Sequence, residues 1–207
     1  MEQSALKNIR SNGLRAIILD EGDSLISVLQ TTGEENMFIA TYNGMAVCFN
    51  ESDLRPLGRN AMGVRGIRLR EGDYVVGAGN SLAGEAVLTI TEKGYGKRTL
   101  LSEYSIHGRG GIGIKNYQVT DKTGGIADVK MVNPGEDILV ISDDGTIIRM
   151  AVDHISMLGR STQGVRIMRL AEGSRVISIE RTEREQGEDE AEETEVTGDV
   201  PEGNDEE

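Results

Sequence analysis

The chain has 207 residues, with 27 glycines against 3 prolines, no tryptophan and 3% aromatic side chains, a composition suited to many short strands and tight turns. Its formal charge of −13 is concentrated at one end: residues 183–207 hold 13 of the 35 acidic side chains and one of the 22 basic ones, so residues 1–182 carry 22 acidic against 21 basic. A single cysteine, Cys48, excludes an intramolecular disulfide framework and fits a reducing cytoplasm. No apolar run approaches the roughly 18 residues that span a bilayer, and "MEQSALKNIR" lacks the apolar core of a signal peptide. The expectation is a soluble, cytoplasmic protein with no membrane partner.

In chain order, "SNGLRAI" (11–17) is followed by the turn sequence "DEGD" (20–23) and by "YNGMAV", with Asn43-Gly44 between apolar runs. "AMGVRGI" (61–67) then opens a stretch in which "VRGIRL" reads as a strand, "REGD" (70–73) as a turn and "YVVGA" as a second strand. "AVLTIT" reads as a third strand, "EKG" as a turn and "GKRT" as a fourth. Asn-Gly and Asp-Gly between apolar runs mark tight hairpins, because both residues tolerate positive φ.

"GRGGIG" (108–113) fits the G-x-G-x-x-G pattern of a dinucleotide-binding turn, but that pattern has mechanical meaning only between a buried strand and a helix. Upstream, "KRTLLSEYSIH" is polar and basic; downstream, "IGIKNYQVTDKTGG" reads as strand then loop. The glycines therefore need another explanation, and no cofactor is expected. "DDGTII" (143–148), "TQGVRIM" (162–168) and "AEGS" (171–174) follow. The tail "EREQGEDEAEETEVTGDVPEGNDEE" has almost no large apolar side chain to offset the entropy of ordering and is expected to be disordered.

These segments recur with a period of about 50 residues. The loop series has key glycines at Gly13, Gly63, Gly111 and Gly164. The hairpin series runs through Gly44, Gly94 and Gly145, and the turn series through "DEGD", "REGD" and "AEGS". Four antiparallel strands per repeat make a blade, and blades at this period belong to propellers and their relatives. "GRGGIG" becomes the third copy of a loop joining one blade to the next.

That loop is basic in every copy. The cations are Lys7, Arg10 and Arg15; Arg59, Arg65, Arg68 and Arg70; Arg109 and Lys115; and Arg160, Arg166 and Arg169. One cluster per repeat places a basic strip along one rim, which meets phosphates by geometry and reads no base edges. The expected DNA-contacting set is Arg10, Arg15, Arg59, Arg65, Arg68, Arg109, Lys115, Arg160, Arg166 and Arg169.

The motifs "GVRGIRL.EGD", "KGYGKRT" (93–99) and "GTIIRM.V..IS.LGRSTQGVR" (145–166), with the acidic tail, resemble the C-terminal domain of the bacterial DNA gyrase A protein, from about Leu6 to Thr182. The matching domain of topoisomerase IV is a close relative of that family. The resemblance implies an all-β, propeller-like β-pinwheel of six blades whose basic rim wraps duplex DNA and supports negative supercoiling. The implied partners are the remainder of gyrase A and the gyrase B protein. The family's signature loop, Gln-Arg-Arg-Gly-Gly-Lys-Gly or similar, does not occur here; "GRGGIG" is nearest, with Ile112 in place of lysine, and only a contact role for Arg109 carries over. The chain is expected to hold three complete units and parts of two more, as an incomplete ring over residues 1–182.

Independent catalysis finds no support. His107 and His154 stand 47 residues apart with no ligand pattern, and Asp143–Gly145 lacks the further ligands of a calcium loop. Tyr42, Tyr74, Tyr95, Tyr104 and Tyr117 are DNA-cleaving nucleophiles only by residue type, and the family places that tyrosine in a separate domain. A propeller used as a protein-interaction platform is the other reading.

Overall fold

The computed structural model describes residues 1–9 and 11–184, which contain eleven strands, four single 3-10 turns and no α-helix. Strands β1 (Asn36–Thr41) and β2 (Met45–Asn50) form a first hairpin, followed by β3 (Val75–Asn80). A second hairpin, β4 (Ala86–Thr91) and β5 (Tyr95–Leu100), is followed by the two-residue β6 (Ile114–Lys115) and by β7 (Ile126–Val132). The third hairpin joins β8 (Glu136–Ser142) to β9 (Ile147–Ala151), and the two-residue β10 (Val165–Arg166) precedes β11 (Val176–Glu183).

Each hairpin turns on a glycine in the left-handed region, Gly44 (φ 78°) and Gly145 (φ 85°) as the Asn-Gly and Asp-Gly signals predict, and Gly94 (φ 76°) after Lys93. The strands assort into three antiparallel sheets, ordered β3-β1-β2-β6, β10-β5-β4-β7 and β11-β8-β9. The blades are therefore not built from consecutive segments. Each hairpin gains an inner strand from the end of its own repeat, while the first two sheets gain a two-residue outer strand from the loop that follows the next hairpin.

This arrangement corrects the reading of "VRGIRL" as a strand. Residues 64–69 join no sheet, because the outer strand of a repeat needs the preceding hairpin to lie on and the described residues contain none before β1. The described residues up to 32 likewise hold no strand and one 3-10 turn, Gln3–Leu6. Two sheets have four strands and the third has three, and they do not close into a ring. Glu183 still pairs with Glu136, so the last strand ends one residue beyond the expected boundary; the expected disordered tail from residue 185 lies outside the described residues.

With few aromatic side chains, the blades pack through close backbone approach. A Cβ on Gly77 would lie 2.7 Å from the Val129 side chain, so β3 and β7 touch where a larger residue would hold them apart. Around this contact Phe38, Ala40, Ala46, Cys48, Val87, Tyr104 and Val129 form one core, and Leu88, Ile90, Val140, Val176 and Ile179 another. A recurring clasp fixes the spacing of neighbouring repeats. Asn80 Nδ2 donates to Gln30 O (2.9 Å), Asn133 Nδ2 to Ala83 O (3.3 Å) and Arg181 Nη1 to Met131 O (3.2 Å), each reaching a carbonyl 50 residues earlier.

Candidate nucleic-acid interface

The basic loops are straps that run from one blade back across the outer edge of the blade before it. The strap after β5 touches its own hairpin through Asn116 Nδ2, which donates to Thr89 Oγ1 (3.2 Å), but its backbone is seated on the first sheet. His107 N donates to Cys48 O (2.8 Å), Ile114 and Lys115 pair with Ala46 and Met45, and Asn116 N donates to Gly44 O (2.8 Å). The strap after β9 repeats this on the second sheet: Leu158 N donates to Arg98 O (2.8 Å), Val165 and Arg166 pair with Gly96 and Tyr95, and Ile167 N donates to Gly94 O (2.8 Å).

This geometry explains the loop glycines and corrects their register. Gly113 (φ 75°) and Gly164 (φ 68°) are the equivalent positions, and a Cβ on either would collide with the carbonyl oxygen of Ala46 or Gly96 on the outer strand. The third key glycine is therefore Gly113, not Gly111. In that register Arg15, Arg65, Lys115 and Arg166 all stand two residues after the crossing glycine. Gly13 and Gly63 have the same left-handed backbone with nothing near the Cβ position.

Three residues of "GKRT" hold the second strap down, a role that sequence patterning missed because cations ordinarily face water. Lys97 is fully buried and donates to Gly159 O (2.6 Å) and Arg160 O (2.7 Å), with Nζ 5.2 Å from the centre of the Tyr117 ring. Arg98 Nε donates to Ile155 O (2.8 Å) and Thr99 Oγ1 to Leu158 O (2.7 Å). Burial pulls the Lys97 ammonium down to about 8.

The straps also touch one another, which sets the order of the rim cations. Arg109 Nη1 donates to Arg65 O (3.3 Å) and Arg160 Nη1 to Lys115 O (3.1 Å), so the same arginine in successive repeats reaches the basic position of the strap before it. Gly110 N donates to Gly66 O and Arg68 N to Gly111 O, and the segment around Arg15 joins the series through Ile18 N to Ala61 O (3.3 Å). A shallow groove is lined by Lys7, Arg15 and Arg59, and a second cleft by Lys93, Arg166, Arg169 and Arg175. The structure thus brings together Arg15 with Arg59, Arg65 with Arg109, Lys115 with Arg160, and Arg166 with Arg169. Arg10 lies outside the described residues.

These cations have no carboxylate partner, and Lys7, Arg55, Arg70, Lys93, Lys97 and Lys122 share that state among the described residues. Among the described residues, none of Arg15, Arg59, Arg65, Arg68, Arg109, Lys115, Arg160, Arg166 and Arg169 is in an ion pair, whereas Arg98, Lys130, Arg149, Arg175, Arg181 and Arg184 all are. Arg15, Arg59, Arg65, Arg68, Lys115 and Arg169 also make no side-chain hydrogen bond there. The tyrosines are spoken for: Tyr104 donates to Asn116 Oδ1 and Tyr117 to Gln163 O, burial raises both phenols, and Tyr42 stacks on Tyr74 at 4.8 Å. The described residues contain no cluster of His, Cys, Asp and Glu able to hold a metal ion, and no helix long and apolar enough to cross a membrane.

Residues 1–32, 35–80, 85–133 and 136–183 match, one repeat at a time, the family described as the DNA gyrase C-terminal domain, beta-propeller. The chain belongs to this family. The last three matched segments each run from a hairpin through its strap to an inner strand, so the DNA gyrase C-terminal repeat coincides with the strap-exchanging unit of the fold. The chain is 45% identical over 190 residues to the DNA gyrase A protein of Staphylococcus epidermidis, covering 89% of this chain and 21% of that protein. It is 44% identical over 176 residues to the DNA gyrase A protein of Ureaplasma parvum, again 21% of that protein's length. Among solved structures, a DNA gyrase A C-terminal domain superposes with a TM-score of 0.74 at 27% identity, covering 83% of this chain and 58% of that one. The C-terminal domain of a DNA topoisomerase IV gives 0.81 at 26%, covering 88% and 57%.

Proposed function

We propose that this gyrase-family chain is a non-catalytic DNA-binding and DNA-wrapping module of a type II topoisomerase. It acts with the remainder of gyrase A and with the gyrase B protein on duplex DNA in the cytoplasm, and supports ATP-dependent negative supercoiling by the assembled enzyme. The observation that carries this reading is the row of rim cations that recurs at one strap position per repeat and has no carboxylate partner among the described residues. Unpaired lysines and arginines at a regular spacing attract a regularly charged polyanion and release its counterions on contact, without reading base edges. Gyrase A is preferred to topoisomerase IV because the chain is 43–45% identical to gyrase A proteins of Staphylococcus epidermidis, Staphylococcus aureus and Ureaplasma parvum.

The test is duplex binding at two salt concentrations with the chain in which Arg15, Arg59, Arg65, Arg68, Lys115 and Arg169 are all changed to alanine. None of the six side chains makes a hydrogen bond or ion pair among the described residues. Weaker binding and a flatter dependence on salt are expected; binding equal to the parent rejects the rim.

A further inference from the structure

Tyr95 begins β5 with its ring almost fully buried. Its hydroxyl accepts a hydrogen bond from Arg166 Nη2 (2.8 Å), and the Arg166 guanidinium carbon lies 5.3 Å from the ring centre. Lys122 Nζ lies 5.2 Å from the same centre. Both cations are exposed, and among the described residues neither is in an ion pair with a carboxylate. Two like charges gathered on one ring repel, and the ring's negative face offsets only part of that cost. A bound anion removes the repulsion.

The sequence around Lys122 is adapted to place it there. The turns that lead into β3 and β11 carry a left-handed glycine at the second central position, Gly72 (φ 72°) and Gly173 (φ 83°), and Gly22 (φ 84°) takes the same conformation in the first copy of that turn. In the third repeat the turn closes from Thr123 N to Thr120 O (3.1 Å), Lys122 occupies the glycine's place, and one added residue moves the left-handed conformation to Gly124 (φ 71°). The loop is fixed to the second hairpin by Lys93 N donating to Thr123 O (3.2 Å) and Glu92 N to Gly125 O (2.9 Å). At the position of Tyr95 the first hairpin has Met45 and the third Thr146, so only the second sheet can form this cluster.

We propose that Tyr95 holds Arg166 and Lys122 as a paired-cation seat for the phosphodiester backbone of nucleic acid, with Lys122 a binding residue and Tyr95 a positioning residue. The inference rests on the DNA-binding reading above and adds to it a residue outside the repeating rim set and a fixed point in that rim. The Tyr95 phenol supports it: the Arg166 hydrogen bond first, and then the charges of Arg166 and Lys122, hold it below the ordinary tyrosine range.

The full chain is labelled with an amine-reactive ester, free and saturated with a 40-base-pair duplex, and labelling is read residue by residue. Lys122 becomes protected, while Lys130, already paired with Asp128 and Glu180, labels equally in both. Lys122→Ala weakens binding about 3- to 10-fold at low salt and lowers the salt slope by roughly one contact. Tyr95→Phe keeps both charges, so it leaves the slope in place and weakens binding several-fold. The Tyr95 phenol, followed as the parent-minus-Tyr95→Phe difference in tyrosinate absorbance, titrates at higher pH with duplex bound, because phosphate cancels the cations that lower it. If the parent binds DNA but Lys122 stays equally labelled, or the phenol titration does not move, the seat is rejected and the rim stands. If the parent does not bind, the rim falls first and the seat with it.

Discussion

Lys97 Nζ stands 2.6 Å from Gly159 O, a contact across 62 residues of chain that joins a buried cation on the second hairpin to the strap from the third. Removing the ammonium strands the carbonyl of Arg160, while Gly159 O keeps Thr162 Oγ1 (2.8 Å). Lys97→Met should therefore lower stability by about 1–3 kcal/mol, the usual cost of an unsatisfied buried acceptor. The pH dependence has a definite sign. The folded state holds this lysine near 8 and the unfolded chain near 10.5, so between those values the unfolded chain binds more protons and stability rises with pH. Thermal midpoints of parent and Lys97→Met at pH 7.5 and pH 10 should show the parent gaining on the variant; a gap that narrows would contradict the assignment.

Gly164→Ala and Gly113→Ala should destabilise far more than Gly63→Ala. All three sit at positive φ, which costs an alanine about 1–2 kcal/mol. At Gly164 and Gly113 the new methyl also meets a backbone carbonyl, which cannot move without opening the sheet, whereas at Gly63 it meets open space. Urea midpoints of the three variants provide the comparison, and equal losses would mean that the straps are not seated.

Asn133→Ala removes one inter-blade clasp, the 3.3 Å bond to Ala83 O. A loss of about 1 kcal/mol is expected, with hydrogen exchange quickening at β4 and β7 ahead of β9.

Arg65→Ala and Arg160→Ala should separate binding from folding. Arg65 donates no side-chain bond, so its variant weakens DNA binding at unchanged thermal midpoint. Arg160 holds Lys115 O and lies 5.9 Å from the Tyr104 ring, so its variant loses both. Matching midpoints for the two variants would show the Arg160 contact to be idle.

The repeat, the hairpin turns and the all-β class were legible because each rests on a local rule: glycine and asparagine where φ is positive, and alternation along a strand. Strand exchange was not, since a two-residue strand such as Val165–Arg166 has no periodicity and its partner lies 71 residues away. Lys97 and Arg98 were hidden by a sound expectation, that cations face water, which fails where backbone carbonyls of a distant strap take the place of solvent. Gly111 and Gly113 fit the loop pattern equally well in the sequence, and contact with Ala46 distinguishes them. Lys122 escaped for the converse reason: it breaks the repeat it belongs to.

Because each outer strand is delivered by the following repeat, no sheet here is finished when its own hairpin leaves the ribosome. The second blade waits for Val165, some 65 residues after Leu100, and a chain halted after Ala151 would expose the flank of that earlier blade as well as its own end. Non-local closure of this kind slows folding and leaves unpaired edges for longer. During synthesis, the vulnerable surface therefore always trails one repeat behind the growing end.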